Sequence, residues 1–95
     1  MSSSLDERAL HEALAETFDP VPGERRVIVR AAVDLAADGR YERDTGQPLT
    51  TEVIVAELAD APDESLPERW NWWLGALEIA YGGYAPFGIR AVERE

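Results

Sequence analysis

Few side chains in this chain could do chemistry. His11 is the one histidine, cysteine and lysine are absent, and the serines are Ser2, Ser3, Ser4 and Ser65. General acid–base catalysis needs a positioned His, Asp or Glu, and nucleophilic catalysis an activated Ser, Cys or Lys. His11 has no second histidine with which to share a metal and borders an apolar helix face, so it reads as a boundary residue. Three of the serines sit in the N-terminal tail and the fourth at a helix start, away from any base. Carboxylates are plentiful, but their spacing is that of solvated surfaces. Asp34 and Asp38 share a helix face with Arg26 and Arg30 at four-residue intervals, the pattern of an exposed ion-pair ladder. Asp60, Asp63 and Glu64 crowd one turn without the alternating oxygen ligands, central glycine and closing glutamate of a calcium hand. Gly82-Gly83 lacks the further glycines and the lysine of a phosphate loop. The expectation is a protein that is not an enzyme and has no catalytic residue, cofactor or metal of its own.

Contact chemistry is better supplied. All three tryptophans and two of the three tyrosines lie between Ser65 and Tyr84, so this stretch must furnish most of the aromatic core or contact surface. On a helical wheel Trp70, Trp73, Leu74, Leu77 and Tyr81 fall within about 100° and read as core. Trp72, Ala76 and Ile79 occupy the opposite side, with Gly75 beside them; Asn71 and Glu78 are the main polar residues between. A helix apolar on two faces is either sandwiched within its domain or offers one face to something else. Trp72, Ala76 and Ile79 are therefore the candidate contacts for a protein partner or a second copy.

Five segments must position these residues. Ser4-Leu5-Asp6-Glu7 fits a capping box ahead of a first helix from about Leu5 to Phe18, with Leu10, Leu14 and Phe18 in one sector. Asp19-Pro20-Val21-Pro22-Gly23 breaks it, because the prolines remove amide donors and restrict their predecessors. A second helix from Glu24 to Asp38, closed by Gly39, carries Ile28, Val29, Ala31, Ala32, Val33, Leu35 and Ala36 over more than half of its circumference. That width predicts a central helix with neighbours on two sides. Residues 40–48 read as a polar connection with Tyr41 as its apolar anchor and a turn near Asp44 to Gly46. Thr50 caps a third helix through about Ala59, in which Ile54, Val55, Leu58 and Ala59 form a helical sector although Val53-Ile54-Val55 is β-branched and leaves strand open. Ser65-Leu66-Pro67-Glu68 is a second capping box, opening a fourth helix to about Tyr81. After the Gly82-Gly83 stop, Ile89-Arg90-Ala91-Val92 has the character of a strand or extended tail. There is no internal repeat.

Ninety-five residues suit one domain with a single core, its ends frayed over 1–3 and 93–95. The acidic N-terminus has no secretory pattern and no stretch approaches the ~18 apolar residues of a membrane span, so a soluble, cytoplasmic protein is expected. Nineteen acidic residues stand against nine basic ones, all arginine, for a formal charge of −10. This acidic, lysine-free composition resembles that of proteins from salt-in halophilic archaea; the resemblance implies a life in high salt and no particular activity. The same charge disfavours counterion-release binding to nucleic acid and attachment to an anionic membrane.

The fold expected is mainly α: a compact four-helix domain with a short C-terminal extended or β segment. The function expected is a non-catalytic interaction or regulatory module. The alternative is a winged helix-turn-helix regulator, with Thr50 to Ala59 as positioning helix, the tryptophan helix for recognition, a wing from Tyr81 to Val92, and Arg69 and Asn71 as DNA contacts.

Overall fold

The computed structural model describes residues 5–18, 22–62 and 65–89. Expectations concerning Ser4, Asp19 to Val21, Asp63-Glu64, Arg90 to Val92 and the frayed ends lie outside them. Five α-helices follow in order, α1 (Glu7–Phe18), α2 (Pro22–Asp38), α3 (Arg40–Thr45), α4 (Thr51–Asp60) and α5 (Leu66–Ala80), then a 3-10 turn at Ala85–Phe87. Among the described residues there is no strand. The molecule is mainly α and forms one globule, with a radius of gyration of 12.4 Å, close to the roughly 12 Å of a single packed domain of this length.

α1 opens at Glu7 because Asp6 caps it: its Oδ1 accepts from the amides of Arg8 at 3.1 Å and Ala9 at 3.3 Å. This carboxylate satisfies two orphan donors at the positive helix end. Leu10 and Leu14 are fully buried, with Phe18 packed at the edge of the core. α2 is central: Ile28, Val29, Ala32 and Leu35 are buried, and the helix packs against α1, α3, α5 and the 3-10 turn. Its wide apolar face is thus covered from several sides.

α3 is a correction to the four-helix expectation. Gly39 ends α2 in the left-handed region (φ 82°) and at once starts α3, which Gly46 (φ 79°) closes as its amide bonds Glu42 O at 2.8 Å. Six residues span under two turns, too few for an apolar period to show. Tyr41 does anchor the segment, buried with its ring centroid 5.9 Å from that of Trp73 in an edge-on contact. α4 resolves the β-branched triplet as helix. Thr50 Oγ1 accepts from Val53 N at 3.2 Å, and Ile54 and Leu58 are buried.

α5 is capped by Ser65, whose Oγ accepts from Glu68 N at 3.2 Å. It buries Leu66, Trp70, Trp73, Leu74 and Leu77. Tyr81 departs from expectation: the helix stops at Ala80, so Tyr81 leaves the core sector and is 49% exposed. Tyr84 enters the core in its place, fully buried after the reversal through Gly82 and Gly83 at φ 82° and 89°. Those angles suit glycine, and a Cβ on Gly83 would collide with the Arg40 guanidinium. The segment read as a hairpin wing from Tyr81 is, as far as Ile89, a turn, a 3-10 turn and extended backbone.

Candidate functional site

The four consecutive residues Trp70-Asn71-Trp72-Trp73 step around α5 by about 100° each, and each meets a different environment. Trp70 is fully buried and Trp73 nearly so, their rings edge-to-face at 5.5 Å and 81°. Trp73 also meets Tyr41, so α3 and α5 share one aromatic cluster. The Trp70 indole N–H would be stranded in this core, and it donates to Phe87 O at 2.9 Å. Asn71 is exposed, yet both ends of its amide are engaged: Ile89 N–H donates to Oδ1 at 2.7 Å and Nδ2 donates to Ile89 O at 2.8 Å. Trp72 points outward, 39% exposed.

Around Trp72 the surface of α5 is formed by exposed Gly75, Ala76, Ile79 and Ala80, with Ile79 89% exposed. Trp72, Ala76 and Ile79 thus share an open face, as their spacing required. From Trp72 to Ala80 this strip holds no charged residue except Glu78, whose carboxylate is turned to the chain beyond the helix. That carboxylate sits in the last turn of α5, where the helix dipole disfavours it. Main-chain N–H groups of Tyr84 (2.7 Å) and Ala85 (3.0 Å) donate to its Oε1 and hold its pKa below the ordinary glutamate value.

Arg69 is spent internally. Its Nη1 donates to Leu58 O at 2.8 Å and Ala61 O at 3.2 Å, carbonyls at the C-terminal end of α4, and its guanidinium lies 5.2 Å from the Phe18 ring centroid. Arg40 reaches across to Gly83 O and lies 5.3 Å from the Phe87 ring centroid. It also pairs with Asp38 at 2.8 Å, which lowers the Asp38 pKa. Tyr84 donates its hydroxyl to Asp44 at 2.9 Å, and burial first, then this bond, pushes its pKa well up.

His11 and Asp34 line one shallow cleft of about 320 Å³ with Glu7, Arg26 and Arg30. Among the described residues no three His, Asp or Glu side chains converge as metal ligands would. No described helix is long and apolar enough to cross a membrane.

Sequence reasoning missed Asn71 and Glu78 as clamps on the C-terminal segment. The available signal was their polarity between two apolar faces of one helix, without anything to name the partner.

Fold and site together define a small, mainly α domain organised on an aromatic helix with an open apolar face. The WNWW domain family matches residues 1–78, and the chain belongs to that family; Trp70-Asn71-Trp72-Trp73 spells its name. No curated protein and no solved structure matches the chain.

Proposed function

We propose that this WNWW domain is a non-catalytic protein-interaction module, adapted to high salt, whose contact surface is the outer face of α5 at Trp72, Ala76 and Ile79. The carrying observation is the exposure of Trp72 and Ile79 on one strip with Gly75, Ala76 and Ala80 beside them, in a chain of net charge −10. On so acidic a surface an uncharged strip presenting an indole and a bare isoleucine is the region where desolvation on contact costs least. Aromatic side chains ringed by small residues are also common centres of binding energy. The test is the double substitution Trp72→Ala, Ile79→Gln, followed by sedimentation and by affinity capture from the native host. Loss of self-association or of a retained partner, with the melting temperature close to the parent's, supports the reading. Unchanged sedimentation together with unchanged capture refutes it.

The DNA-binding alternative draws no comparable support. Its two contact residues are engaged within the fold, Arg69 by α4 and Asn71 by Ile89, and the region after Tyr81 is not a hairpin as far as it is described. Fluorescence polarisation with host promoter DNA in high KCl distinguishes the two readings.

A further inference from the structure

We propose that the groove between α2 and α5 is a binding site for a peptide segment carrying one 3-10 turn, and that residues 83–89 are its tethered ligand. This inference does not rest on Trp72, Ala76 or Ile79. The main chain of residues 83–89 is held by side chains of the helical body. Arg40 donates to Gly83 O, Glu78 accepts from Tyr84 N and Ala85 N, Trp70 donates to Phe87 O, and Asn71 takes both the N–H and the C=O of Ile89. Two further amides pair within the segment, Phe87 N to Tyr84 O and Gly88 N to Ala85 O.

Such recognition resembles strand addition, in which main-chain bonds give affinity and pockets give preference. An amide that takes both peptide groups of one residue acts as a neighbouring strand would, and reads backbone whatever the side chain. Preference comes from Tyr84, buried as the anchor, and from Phe87 and Ile89, packed against the core.

Two observations separate site from ligand. Open clefts of about 510 Å³ and about 440 Å³ flank the segment, one bordered by Val27, Ala31 and Asp34 of α2 and the other by Asn71, Leu74 and Gly75 of α5. Both border Pro86, Gly88 and Ile89, so the segment lies in a groove wider than itself. The groove residues of α2 and α5 all fall within the family match at 1–78, and the occupant begins after it. The ligand class is a peptide with a tyrosine anchor, a proline two residues on, then an aromatic and an aliphatic residue separated by one position. A short tether gives the resident segment an effective concentration of about millimolar, so a free peptide competes only when the tether is opened or the resident anchor is removed.

The experiment opens it. A protease site inserted between Gly82 and Gly83 is cleaved after folding, keeping every residue present. The probe is a synthetic peptide of residues 83–89 with an amidated C-terminus. On dilution the cleaved segment should dissociate with the helical circular dichroism of the body retained, and the probe should rebind, read by the anisotropy of a fluorescent label on the probe. A probe methylated on the Ile89 amide nitrogen should bind at least about 10-fold more weakly, the loss of one well-made main-chain bond. In the uncut chain, Tyr84→Ala should raise affinity for the labelled probe by about the same factor over the parent. Helicity lost on dissociation and not regained with the probe, equal binding of the methylated probe, or equal affinity of parent and Tyr84→Ala would each overturn the proposal.

Discussion

Asn71→Asp changes one atom of the clamp on Ile89 and leaves its shape intact. The retained Oδ1 still accepts the Ile89 amide proton, at 2.7 Å in the parent. The second atom becomes a carboxylate oxygen facing Ile89 O, where Nδ2 donates at 2.8 Å in the parent. One hydrogen bond is lost, a net of about 1 kcal/mol, and two acceptors oppose each other, although the exposed position lets water relieve part of the repulsion. The sum is about 1–2 kcal/mol, or roughly 5–15 °C in melting temperature for a domain of this size. The pH dependence carries the signature. The charged form is disfavoured in the folded variant, so the new carboxyl has a raised folded pKa and the native state binds more protons than the unfolded state. Its destabilisation therefore grows as pH rises and shrinks as pH falls through the folded pKa, where the protonated carboxyl donates to Ile89 O. Urea denaturation of parent and variant at about pH 7 and about pH 4, in the same KCl concentration, brackets that titration. A variant as stable as the parent at neutral pH, or a deficit equal at both pH values, would refute the clamp.

Thr50→Ala and Ser65→Ala should each cost about 1 kcal/mol by removing a cap, and the double variant should show the sum because the caps serve different helices; denaturant midpoints measure this. Glu78, its pKa lowered by the Tyr84 and Ala85 amides, contributes stability that is present above its unfolded value and lost as pH falls through the lowered folded one. Midpoints of parent and Glu78→Gln should accordingly converge in acid, and a gap constant from about pH 7 to about pH 3 would contradict that. At −10 net charge the chain should melt higher in about 2 M than in about 0.1 M KCl, since screening shortens to roughly 3 Å in molar salt; equal circular-dichroism melting points would remove the case for salt adaptation.

Features set by local rules are legible from sequence. Thr50 and Ser65 announce α4 and α5, and both caps bond the amide three residues on. The wheel identifies Leu10, Leu14, Ile54, Leu58, Trp70 and Trp73 as core, and it separates Trp72 from its neighbours. Features set by tertiary contact are not legible. α3 is nucleated between two left-handed glycines and held by one tyrosine, a length over which periodicity carries no information. Extending the wheel one residue past the helix end carries Tyr81 into the core, whereas Tyr84 gets there through the glycine reversal. Asn71 and Glu78 read as ordinary solvent-facing residues because their partners are main-chain groups, which have no residue type to recognise. Ile89 reads as β-branched and strand-like, and its strand partner is the Asn71 side chain.

The Arg69 contacts bear on the absence of lysine. Its guanidinium serves three helices at once, donating to two carbonyls at the end of α4 from α5 while lying over the Phe18 ring of α1. An ammonium is a compact, strongly hydrated point charge, with no flat face to lay on the ring while its protons go to those carbonyls. Here one nitrogen, Nη1, makes both bonds and the rest of the plane meets Phe18. At this position the choice of arginine is a mechanical one, a cross-brace between three rods, and Arg69→Lys would loosen the frame while leaving the formal charge untouched.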